Sequence, residues 1–340
     1  MSTNGTRKSQ LLSLKLLALV REHLGPHHDG GISPAVFARG AAALESGASW
    51  VLVAEQTERG LGPALLWALK AGSSELNVLA ESDTGTLARQ AAYFEFPITV
   101  WHVDDGTLMP ATAEPLPDHR RPSPEHAAFM ALIAQGGATP VVEHGIVAGE
   151  VLGLEVCRAV DDPVTGAARL EVGMGAHDRE AFAMLHGDKP TVQALAEVVD
   201  NVKQHRRPGA LPHPFNRIAP ERMLRANILD APAVVGASSL VICDPPVPRT
   251  NVLNVVPCVA RGRSHGGADI VVVVTSGADP DIVPYALDAR ARVDQHHGSV
   301  SELRIAMPAA HITPTNRRAL GLAHGAASFV ELDMSAVSPS

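Results

Sequence analysis

Short apolar runs alternate with amphipathic stretches in two separated parts of the chain, and each part reads β-α-β-α-β. In the first, 49–55 (SWVLVAE), 76–80 and 97–103 are strands, and 60–72 and 84–94 are helices. In the second, 269–276 (DIVVVVTS), 302–308 and 327–333 are strands, and 281–296 and 313–324 are helices. Brief Val- and Ile-rich runs of this kind suit parallel strands covered on both faces. Residue identity between the parts is slight. Roughly 170 residues separate them, more than a compact connection uses, so two separate lobes are expected.

The intervening segment follows another pattern. A proline-rich stretch, 111–124, reads as a linker. A helix near 126–135 precedes three strands near 140–147, 149–160 and 168–175, and a long helix from about 178 to 206 follows. Proline-rich 206–217 is a hinge, 220–229 a helix, and 231–268 irregular. The expected fold class is therefore α/β, with two β-α-β-α-β lobes flanking a central α+β unit whose three-stranded sheet is largely antiparallel. The expected domains are 1–118 (an N-terminal amphipathic helix plus a lobe), 119–215 (the central unit) and 216–340 (the second lobe).

Composition narrows the class. The chain has 340 residues, too many for one typical core, and only 4% aromatics, so Ala, Val and Leu must fill the interior. A net charge of −8 argues against a large non-specific nucleic-acid surface. Arg206, Arg207, Arg217, Arg222 and Arg225 are the main basic concentration, and a solvated helix face accounts for them. Three widely spaced cysteines form no disulfide framework, which points to the cytoplasm. Lys15 interrupts the apolar run after residue 10, so an amphipathic helix fits there better than a signal peptide. No apolar run is long enough for a membrane span. Homo-oligomerisation is left open.

The candidate chemistry lies in 143–188, where glycines and carboxylates share strands that normally avoid glycine. Alternation places Gly149, Gly153, Glu155 and Cys157 on one face and Leu152, Leu154 and Val156 on the other. A hairpin through 161–167 then brings Glu155 beside Glu171, with Glu143 able to join them. Clustered carboxylates need a divalent cation such as Mg²⁺ or Mn²⁺, a shared proton, or arginines such as Arg158, Arg169 and Arg179. An exposed sheet face needs none of these.

The first functional expectation is a divalent-metal-dependent hydrolase, acting on a phosphodiester. Glu143, Glu155 and Glu171 would hold the ion, His177 would carry the proton, and Arg179 or Lys189 would stabilise developing charge. The order helix, three strands, helix is similar to the core of the PD-(D/E)XK nucleases, with Glu155 and Glu171 at the acidic positions. Gly173 stands where that motif's lysine would be. The turn Gly173-Met174-Gly175 before a helix also resembles a phosphate cradle, with Asp178 in place of its third glycine. Two strand ends, one with Glu55, Glu58 and Arg59 and the other with Asp279 and Asp281, are secondary candidates. The alternative is a non-catalytic scaffold, or a regulatory protein that binds a ligand or a partner.

Overall fold

Four two-residue turns set the sheet registers: Ser46-Gly47, Asp105-Gly106, His144-Gly145 and Leu152-Gly153, each with both residues at positive φ. Such turns match the right-handed twist of the strands they join. The structure is a computed structural model that describes residues 3–26, 30–175, 178–179, 191–207, 210–211, 213–249 and 255–333. These residues fall into two units. One is drawn from 1–116, 279–288 and 312–327, the other from 117–278, 289–311 and 328–340.

The first unit contains a six-stranded sheet in simple chain order, β1 (Ser33–Ala35), β2 (Gly40–Glu45), β3 (Ala48–Val53), β4 (Glu75–Ala80), β5 (Ile98–Asp104) and β6 (Thr107–Pro110). β3, β4 and β5 are parallel, joined by α2 (Leu61–Ala71) and α3 (Thr84–Ala91), as the β-α-β-α-β pattern requires. β1, β2 and β6 add antiparallel edges. The N-terminal helix α1 (Thr3–Leu24) is amphipathic, and Leu16, Leu19 and Val20 pack against Trp50, Leu52 and Leu79.

The second unit contains two sheets. α4 (Pro124–Ala127) and α5 (Phe129–Gln135) lead into β7 (Thr139–Glu143), β8 (Ile146–Val151), β9 (Leu154–Asp161) and β10 (Ala168–Val172). This sheet is antiparallel throughout, in the order β10-β9-β8-β7. The expected three strands are thus four, because Leu152-Gly153 turns the chain inside what reads as one apolar strand. One face packs on α5 and on α6 (Thr191–Arg206), through Ile133, Val147, Cys157, Leu195 and Val199.

The other sheet has the order β11 (Ala237–Cys243), β12 (Cys258–Ser264), β13 (Asp269–Val274), β14 (Glu302–Pro308), β15 (Ala327–Leu332). β13 and β14 are parallel, β12 runs antiparallel to β13, and β11 runs antiparallel to β12. Segment 231–268, expected to be irregular, therefore contributes two strands to this sheet. α7 (Pro220–Asp230) packs Leu224 and Ile228 on this sheet, and α8 (Ile282–His297) follows β13. α9 (Pro314–Leu320), which belongs to the first unit, opens with a capping box made by Thr313 and Asn316. The architecture is mixed α/β, in three sheets.

Candidate functional site

The acidic face of the four-stranded sheet is assembled by a β-bulge. Glu150 on β8 lies opposite Glu155 on β9, while Gly149 lies opposite Cys157, so Val156 is an extra residue. An inserted residue inverts the alternation beyond it. Cys157 therefore turns into the core, and Glu155 keeps the polar side with Glu150 and Arg158. This corrects the expected sharing of a face by Glu155 and Cys157. The glycines also have structural reasons. A Cβ on Gly149 would meet Cys157 Sγ at 2.5 Å, and one on Gly153 would meet the Arg222 backbone at 2.2 Å.

Each glutamate on this face is held by arginine. Glu155, 1% exposed, accepts two parallel bonds from Arg158 (Nε 2.8 Å, Nη2 2.9 Å) and further ones from Arg179 (3.3 Å) and Arg222 (3.5 Å). Glu150 accepts from Arg225 Nη2 at 3.0 and 3.1 Å. Glu143 accepts from Arg225 and Arg249. Glu171 accepts from Arg169 (2.7 Å) and Arg179 (3.2 Å). Burial alone would raise the Glu143 carboxyl, but Arg225, Arg249 and Arg222 outweigh it and hold it at about 2. Glu155 is likewise lowered, burial being overcome first by Arg158.

So Glu143, Glu155 and Glu171 do come to one side of the sheet, as expected, with Glu150 as an unforeseen fourth. The donor set does not fit a divalent cation. Its carboxylate oxygens already face guanidinium groups, whose charges would repel a metal ion. Among the described residues, no group of three or more His, Cys, Asp or Glu is arranged to hold one. The space left there is about 30 Å³. Arg179 is one of the bridging arginines, while His177 and Lys189 lie outside the described residues. Arg206, Arg222 and Arg225 are buried, not a solvated face: Arg206 donates to the Phe215 and Ile218 carbonyls, and the other two bind glutamate. The Gly173-Met174-Gly175 turn is capped by Asp178, whose carboxylate accepts from Met174 N at 2.6 Å.

The secondary candidates meet one another in the first unit. Arg59 binds Asp279 and Asp281, and Asp281 also accepts from Gly62 N at 2.9 Å. Burial raises the Asp281 carboxyl to about 7 despite Arg59. These contacts tie the segment after β3 to the residues that open α8.

A larger space lies elsewhere in the second unit. A cavity of about 460 Å³ is bordered by His119, Asp244, Arg261, Arg292 and His296, with Val142, Val241, Ile242 and Val293 supplying apolar wall. Its size and mixed lining are those of a small-molecule site. Asp244, 7% exposed, accepts from His144 N (2.8 Å) and Arg292 Nη2 (3.3 Å) and pairs with His119 Nδ1 (3.1 Å). The His119 and His296 rings lie 4.3 Å apart. His296 is lowered from its ordinary value, by desolvation first and then by His119, Arg121 and Arg261. Arg292 is neutralised by Asp244, whereas Arg261 has no acidic partner among the described residues. A second cavity of about 210 Å³ shares Arg261, Val293 and His297 with the first.

Sequence reasoning missed this site because its residues come from five distant segments, none carrying more than three ordinary ionisable residues. The adjacent pair Cys243-Asp244 at the end of β11 and His296-His297 at the end of α8 were the available signals. Comparison with protein-family models, with curated proteins and with solved structures finds no match, so the functional argument rests on this geometry.

Proposed function

We propose that the protein binds a small organic anion in the cavity beside Arg261, and that the glutamate face is a structural clasp. The observation that carries this reading is the contrast between the two sets of arginines. Those of the acidic face are matched to carboxylates, while Arg261 borders open space without one. Arg261 is half-buried on β12, where its guanidinium can meet an anion that enters the cavity. Apolar residues beside it would cover the body of a ligand while Arg261 takes its charge.

Thermal melting with glutarate or inorganic phosphate tests the reading, because a ligand that binds only the folded state raises its apparent stability. The expected result is a concentration-dependent rise in Tm for the wild type that is lost in Arg261→Met. No rise with either anion, or an equal rise in both proteins, would overturn it.

A further inference from the structure

We infer that the same cavity is a reaction site, in which His119 accepts a proton from water during hydrolysis of an ester that carries a carboxylate. This rests on the anion-binding reading above and extends it from binding to chemistry.

The wiring around Asp244 is the reason. Two of its three donors, the His144 amide and the Arg292 guanidinium, keep their protons at neutral pH. The third contact of Asp244 is His119 Nδ1, 3.1 Å away, and with Nδ1 as the donor Nε2 is the accepting nitrogen. Nε2 is left with its lone pair, the form a general base requires. The His119 side chain is 34% exposed and borders the cavity, so water has access to it. This is the arrangement by which a buried carboxylate fixes the tautomer of a catalytic imidazole.

The nucleophile follows by elimination among the lining residues. No serine or threonine lines the larger cavity. Cys243, whose thiol burial raises to about 12, has no hydrogen bond to His119 among the described residues, so the base is not placed to take its proton. Water remains. It gives one proton to His119 Nε2 as its oxygen bonds to the ester carbonyl carbon, whose π electrons move to the carbonyl oxygen. Collapse of this intermediate breaks the carbon–oxygen bond to the alcohol, which takes the proton back from His119. The products are a carboxylic acid and an alcohol, with no change of oxidation state. Arg261 holds the substrate's carboxylate, and Asp244 acts as a positioning residue through His119.

The test uses the full chain with mono-4-nitrophenyl glutarate, and with uncharged 4-nitrophenyl acetate for comparison. The expected result is saturable hydrolysis that favours the charged ester. In His119→Gln, kcat should fall by about 100-fold or more, the scale of general-base catalysis. Protection of that variant by glutarate in a melt should persist. Arg261→Met should raise KM for the charged ester and abolish the preference for it over the acetate. Asp244→Asn should lower kcat, and His119→Gln still decides the question if that variant does not fold. Two results would overturn the inference while leaving anion binding in place, provided glutarate still protects the protein. One is hydrolysis no faster than by the heat-unfolded chain, and the other is hydrolysis unchanged in His119→Gln. Absence of glutarate protection in the wild type would overturn both.

Discussion

Glu155 and Arg158 are three residues apart on one strand, yet they join through two parallel bonds of 2.8 and 2.9 Å. Strict alternation would put them on opposite faces. The extra residue Val156 brings them to the same side, where Arg179 and Arg222 also reach Glu155. The bulge is what lets Glu155 take Arg158 of its own strand beside the arginines that reach it from elsewhere.

Removing one partner from such a network leaves charge uncompensated in a buried place. Glu155→Gln should therefore destabilise the chain by about 3–5 kcal/mol. Urea unfolding measures it. A variant as stable as the wild type, or more stable, would mean that the glutamates chiefly repel one another.

Acid should weaken the same network. Glu143 sits at about 2 when folded, against an ordinary value of 4.5. A carboxyl lowered on folding contributes stability that is present above its ordinary value and is lost as pH falls through the folded one. The urea midpoint should drop between those two values, and Glu143→Gln should lose stability at neutral pH and show a flatter acid limb. An unaltered limb would show that acid unfolding begins elsewhere.

Asp281 should behave in the opposite sense. Its folded value of about 7 lies above the ordinary 3.8, so the folded chain binds the extra proton in that range. Its contribution to stability then falls as pH rises from 3.8 towards 7. Asp281→Asn keeps an acceptor for Gly62 N and leaves Arg59 paired with Asp279. It should stabilise the protein by about 1–3 kcal/mol above neutrality and remove that part of the pH dependence. Destabilisation at high pH would show that the Asp281 charge is needed by Arg59.

The turns offer a milder test. Ser46 is exposed at φ 47° before Gly47, a conformation that asparagine accepts more readily. Ser46→Asn should raise stability by about 0.5 kcal/mol, visible as a small increase in the thermal midpoint. A loss would indicate that the serine has another role.

The elements most legible in the sequence are those whose burial dictates their composition. DIVVVV and ELRIAMP announce β13 and β14, and GLGPALLWALKAG announces α2, because covered parallel strands and their helices need contiguous apolar residues. β11 (ASSLVIC) and β12 (CVARGRS) are half polar and carry no such mark. Leu152 at φ 46° begins a turn that nothing in an apolar run signals, and the Val156 bulge then inverts the faces that alternation assigns. The glutamates could be read as a cluster, and arginine was among the foreseen partners. Arg222, Arg225 and Arg249 lie 67 to 106 residues from the glutamates they bind, however, so only tertiary structure pairs them. The cavity was illegible for the same reason.

The account turns on where positive charge is matched and where it is not. Isothermal titration calorimetry on wild type and Arg261→Met, with glutarate and with Mg²⁺ as separate titrants, measures this most directly. The account predicts saturable heat from glutarate in the wild type, none in Arg261→Met, and none from Mg²⁺ in either. Saturable Mg²⁺ binding together with no response to glutarate would contradict it, and would return the glutamate face to the role of a metal centre.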